Sequence, residues 1–212
     1  MGSISNGFQR LTVKIAVLVV VALLMTVCYA MAEESESGAT APPNPYPWHL
    51  TLYAGIQAQD SLRDVYTFQA RFVDDTYMVD LALARDFYQY KDWLRFELEG
   101  QVAKHFGRKD DQWEFVGLVI LRWLAFPWDD TLDTSLALGE GLSYYTKVSE
   151  IELEESPDAQ KVLNYLLIEV TLGLPDYPQW DLSLRIHHRS GIWGLVGESG
   201  SNILCAGVRY SF

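Results

Sequence analysis

From residue 48 to the end of the chain, apolar and polar side chains alternate in stretches of about ten residues. The clearest is 93–106, where Leu94, Phe96, Leu98 and Val102 oppose Arg95, Glu97, Glu99 and Gln101. The last twelve residues repeat it. Leu204, Ala206, Val208, Tyr210 and Phe212 fall on one side, and Ser201, Ile203, Cys205, Gly207, Arg209 and Ser211 on the other. Successive side chains of a strand point to opposite faces, so each stretch predicts a strand with one apolar and one polar face. Eight strands are predicted, over residues 48–59, 76–87, 93–106, 112–124, 133–145, 162–174, 180–189 and 201–212. The fourth fits least well. Opposite Trp113, Phe115, Val119, Leu121 and Trp123 stand Glu114, Val116, Leu118, Ile120 and Arg122, a face only partly polar.

The connections alternate in length. Residues 88–92, 125–132 and 175–179 are short and rich in Pro, Asp and Trp, whereas 60–75 and 146–161 are long and polar. Short turns on one side and long loops on the other are the pattern of a membrane-spanning barrel. The fold expected is therefore all-β, an eight-stranded antiparallel up-and-down transmembrane β-barrel over residues 48–212. The competing reading is a soluble eight-stranded barrel of lipocalin type, which would turn its apolar faces inward. A chain ending on an alternating strand with Phe as its last residue resembles bacterial outer-membrane barrels. That resemblance implies that the terminal strand is read by the outer-membrane assembly machinery. Eight strands leave no aqueous pore, so porin activity is not expected. Asp80, Arg95, Glu97, Glu99, Glu169, Arg185 and His187 would face the interior. Glu97 and Glu99 can be read as a catalytic carboxylate pair or as part of a structural ionic plug, and the plug is the reading adopted.

The beginning of the chain sets the compartment. Arg10 and Lys14 precede an apolar run, Ile15 to Val27, and Ala30-Met31-Ala32 offers a small-x-small cleavage site. This reads as a secretory signal peptide over residues 1–32, cut near Ala32. Residues 33–47 are acidic, then Pro-rich, and read as a flexible leader. Removing residues 1–32 takes Arg10 and Lys14 and no acid, so 14 of the 16 basic residues stand against all 28 acidic ones. That balance argues against nucleic acid as a partner. Only Cys205 would remain, so no intrachain disulfide is possible. No Cys/His spacing for a metal and no phosphate-binding glycine loop occurs, and no cofactor is expected.

Candidate chemistry lies at the end of the seventh strand, Arg185-Ile186-His187-His188-Arg189-Ser190-Gly191. Leu182, Leu184 and Ile186 share the lipid face, and the same period places His188 and Ser190 there, with Arg185, His187 and Arg189 inward. A His and a Ser two residues apart on one face are the minimal arrangement for a base-activated serine. An ionisable residue facing lipid is costly and marks function by default. This segment is similar to the His-x-Ser segment of the PagL-type lipid A 3-O-deacylases, the likeness being specific over residues 180–212. The resemblance implies an outer-membrane ester hydrolase that removes an acyl chain from lipid A without a metal. It maps His188 to the base and Ser190 to the nucleophile, with an acid beyond the serine at the start of the next strand. Glu198 is the carboxylate in that region, though it comes earlier than the family spacing, and Gly191 stands where the family tends to have Asn. Asn202 and the backbone around Gly191 are the oxyanion donors expected. Glu140, between Gly139 and Gly141, also falls on the lipid face, and a bulge there is expected to turn it away.

Two functions follow from different classes. One is a lipid A deacylase whose partner is lipopolysaccharide in the outer membrane of a Gram-negative bacterium. The other is a non-enzymatic barrel with a structural or loop-mediated role. Acyl transfer is a third.

Overall fold

The computed structural model of the chain describes residues 44–59, 62–67, 69–157, 159–191 and 199–212. The segment expected to be a signal peptide, and most of the expected leader, lie outside these residues. The eight strands are β1 (Trp48–Ala58), β2 (Phe72–Tyr90), β3 (Leu94–Phe106), β4 (Trp113–Trp123), β5 (Asp133–Tyr145), β6 (Val162–Gly173), β7 (Trp180–Ser190) and β8 (Gly200–Ser211). They pair antiparallel in chain order and close into a barrel, with β8 returning to β1. The closure includes both chain ends of the barrel: the Trp48 N–H donates to the Phe212 carbonyl at 3.0 Å and the Phe212 N–H to that of Trp48 at 2.8 Å.

The apolar faces point outward. Leu52, Leu98, Phe115, Val119 and Leu182 are exposed, while Glu97, Glu99, Glu114, Glu169, Arg122 and Arg185 are buried inside. This is the opposite of a lipocalin-type barrel, and it makes the outer wall one that lipid must cover. Exposed aromatics ring both ends, with Trp48, Trp123 and Trp180 at the end that holds the termini and Phe106, Trp113 and Tyr144 at the other. The folded barrel is expected to run faster on a denaturing gel when unboiled than when boiled, and loss of that difference would count against a closed barrel.

Strand β2 begins earlier than its alternation suggests. A register shift between Ile56 and Ala58 lets Ala58 pair with Phe72. The added residues, including Asp74 and Asp75, extend the strand past the apolar band, where no alternation announces it. Two short helices occupy the long loops, α1 (Leu62–Tyr66) and α2 (Glu150–Glu155). Ser149 caps α2 by accepting the Glu152 N–H at 3.2 Å. The Ser-x-x-Glu spacing is a helix-start signal that reading the segment as a polar loop passed over.

Charges of both signs fill the interior. Arg185 spans two carboxylates, reaching Glu99 at 2.8 Å and Glu169 at 2.9 Å. Arg122 donates to Glu97 at 2.6 Å, and Arg209 reaches the same carboxylate at 2.9 Å. Glu97 and Glu99 are thus buried and held by guanidiniums, which suits an ionic plug. The apolar inner face of β4 is also accounted for. Val116, Leu118 and Ile120 pack against Ala137, Tyr165 and Leu167 inside the barrel. The space comes from β5: a Cβ on Gly139 would lie 2.7 Å from Leu118 Cδ1, and one on Gly141 would lie 2.6 Å from Leu118 Cβ.

Helix α2 caps the end of the barrel away from the termini. The Glu152 carboxylate pairs with Arg189, and Lys109 Nζ reaches Glu154 at 2.6 Å. Burial pushes the Glu152 carboxyl up, against the pull of Arg189, and neighbouring Asp110 is raised for the same reason. A carboxyl raised on docking favours the docked state most at low pH and loses that contribution as pH rises through the raised value. Amide exchange across residues 150–155, corrected for intrinsic rate, is therefore expected to slow as the pH is lowered from neutral toward the ordinary carboxyl range. Faster exchange in acid would show that the Arg189 pair, rather than burial, controls the helix.

Candidate functional site on the outer wall

Four neighbouring strands place five polar side chains at outward positions, with Asn164 and Asn202 largely covered by their neighbours there. In β7 the inward series is Arg185, His187 and Arg189, all buried, and the outward series ends in His188 and Ser190, both half-buried. Directly across from His188 in β8 stands Asn202, and His188 Nδ1 lies 2.7 Å from Asn202 Oδ1. An amide oxygen only accepts, so with this assignment Nδ1 carries the proton and Nε2 is left with its lone pair. The ring is therefore held in the tautomer that a general base needs. His188 and Ser190 share a face without a hydrogen bond between ring and hydroxyl, their Cα atoms being about 7 Å apart at strand spacing.

On the other side of β7, Asn164 of β6 pairs directly with Ser190, and Leu166 with His188. Next in β5 comes Glu140, paired with Leu166. Pairing runs unbroken through Gly139, Glu140 and Gly141 on both sides of β5. The expected bulge is absent, and Glu140 projects outward and exposed. The two glycines serve the packing of Leu118 inside the barrel, so they carry no bulge. Glu140 and Asn164 are diagonal neighbours on this outward face, because Asn164 pairs with Leu142, two residues along from Glu140. Reading the sequence did not single out Asn164, although a polar residue at an outward position among Val162, Leu166 and Ile168 is a signal that the period makes available.

Both expected oxyanion donors make contacts between β7 and β8. The Gly191 N–H donates to the Ser199 carbonyl at 3.0 Å, extending the β7–β8 ladder by one bond. Asn202 turns its amide oxygen to His188 and so orients the ring, while the oxyanion role expected of it would fall to Nδ2. Glu198 lies outside the described residues.

At the end of the barrel that holds the termini, His49, Asp86 and Glu97 bring ligand-type atoms within 4.8 Å of one another. These atoms already meet cations: Arg122 and Arg209 bind Glu97, and Arg95 Nε lies 3.3 Å from Asp86. Three guanidiniums beside the cluster oppose a further cation, and it belongs to the interior ion-pair network.

No protein-family model matches the chain, and no curated protein matches it. Among solved structures, the outer-membrane enzyme PagL is similar in fold, with a TM-score of 0.52 and 9% sequence identity over 77% of this chain and 99% of that one. Neisserial surface protein A gives a TM-score of 0.47 at 14% identity over 78% and 96% of the two chains. Ail, the attachment invasion locus protein of Yersinia pestis, gives 0.40 at 8% identity over 79% and 99%.

Proposed function

We propose that this barrel is an outer-membrane ester hydrolase that removes an acyl chain from lipid A. The observation that carries the reading is the placement of His188 and Ser190 on the lipid-facing wall, with the imidazole oriented by Asn202 at 2.7 Å. Ser190 Oγ attacks the acyl carbonyl carbon while its proton passes to His188 Nε2. The tetrahedral adduct collapses, the bond to the lipid's alcohol oxygen breaks, and His188 returns the proton to that oxygen. Water then attacks the acyl-serine with His188 again as base, the bond from the acyl carbon to Ser190 Oγ breaks, His188 returns the proton to Oγ, and the fatty acid leaves.

Asn202 stands in the strand where the resemblance implies an acid. A neutral amide holds the tautomer and orientation of a catalytic imidazole, as the Cys-His-Asn arrangement of other hydrolases illustrates. It stabilises the imidazolium less than a carboxylate does. The outward position of the pair gives it access to membrane lipid without passage through the closed lumen.

A second reading, a non-enzymatic barrel, draws on the absence of a hydrogen bond between His188 and Ser190. Mass spectrometry of lipid A from cells with and without this protein separates the two. Loss of one ester-linked acyl chain when the protein is present is the expected result, and identical lipid A in both strains would favour the non-enzymatic barrel.

A further inference from the structure

We propose that Asn164, positioned by Glu140, donates the hydrogen bond that stabilises the oxyanion formed when Ser190 attacks an ester carbonyl. This rests on the hydrolase reading above and deepens it. Acyl transfer to a serine puts negative charge on the former carbonyl oxygen, and a site that catalyses it needs a donor beside the nucleophile. The Gly191 N–H, next in the chain to Ser190, donates to the Ser199 carbonyl, and Asn202 lies beside the imidazole, paired with His188 and not with Ser190. Asn164 is the residue paired directly with Ser190 from β6, on the same outward face. Side chains of directly paired residues stand about 5 Å apart at Cβ, a separation that one carbonyl oxygen can bridge.

Glu140 explains the orientation. Glu140 is a diagonal neighbour of Asn164 on the same outward face, and a carboxyl oxygen that accepts one Nδ2 hydrogen leaves the second for the substrate. Glu140 sits on the lipid-facing wall, where a carboxylate carries a cost and leucine would serve a purely structural role, as Leu138 and Leu142 do on the same strand. The site then has two arms. Asn202 fixes the base from β8, and the Glu140–Asn164 pair serves the oxyanion from the opposite side of β7.

The test uses the full chain in detergent micelles with purified lipopolysaccharide, following released fatty acid by mass spectrometry. Wild type, Ser190→Ala, Asn164→Leu, Asn164→Asp, Glu140→Gln and Glu140→Leu are compared after folding is verified by gel mobility. Asn164→Asp keeps the size and removes the donor, so it decides the matter if the leucine variant fails to fold. Both Asn164 variants are expected to lose about 10²–10³-fold in kcat with KM within about threefold, the range for removing one oxyanion donor. Glu140→Leu should lose about tenfold in kcat and Glu140→Gln should recover most of it, because the glutamine oxygen still accepts. If Ser190→Ala is inactive while the Asn164 variants keep kcat within about threefold, or change KM alone, Asn164 is not the donor and the hydrolase reading stands. If the wild type releases no fatty acid, the hydrolase reading and this assignment fall together.

Discussion

Ser190→Ala is expected to lower the rate of fatty-acid release from lipopolysaccharide by roughly four orders of magnitude, and His188→Asn by a similar factor. Nucleophile and base act as one unit, so the double variant should be no worse than either single one. Neither residue fills the lumen, and both are half-buried on the outer wall, so the variants should fold and insert as the wild type does. His187→Asn is the control. His187 lies inside the barrel, with Nε2 3.1 Å from Glu114 Oε1 and Nδ1 3.2 Å from the Tyr165 hydroxyl. Its loss should reduce stability and leave turnover largely intact. Turnover abolished by His187→Asn and spared by His188→Asn would show that the chemistry faces the lumen.

Arg185→Leu should destabilise the barrel by about 3–5 kcal/mol, the cost of removing one partner from a buried ion pair. The guanidinium lies between Glu99 and Glu169, and all three side chains are inaccessible to solvent. Its removal leaves two carboxylates facing each other across a closed lumen. The measurement is the shift in denaturant midpoint of the refolded protein in lipid, with an unchanged slope marking a true stability change. Replacing Arg185, Glu99 and Glu169 together by leucine and methionine should recover much of the loss, since an apolar set has no charge to desolvate. A shift below about 1 kcal/mol for Arg185→Leu alone would mean that water reaches the carboxylates and screens them.

The fold was legible because its signal is local. A strand reverses its face at every residue, so a window of ten residues separates lumen from lipid without knowledge of any partner. That is how His188 and His187 are assigned to opposite faces from the sequence, and how Arg185 and Glu99 are placed inside before their contact is known. The same period left Asn164 unremarked and led Glu140 to be read as a bulge, because a flanking glycine pair carries two meanings. It marks a bulge when the chain is taken alone. In the barrel it leaves room for Leu118 from the neighbouring strand.

Period-two alternation along the chain is enough to specify the strand count, the antiparallel order, the inward set of charges and the outward position of His188 and Ser190. Which residues become neighbours across strands is set by the closed barrel: Asn202 with His188, Asn164 with Ser190 and diagonally with Glu140, and Glu152 with Arg189. Facing is a property of one strand's geometry, repeated every two residues. Register is a property of pairs of strands that lie far apart in the chain, and it is set by interior packing that no single strand contains.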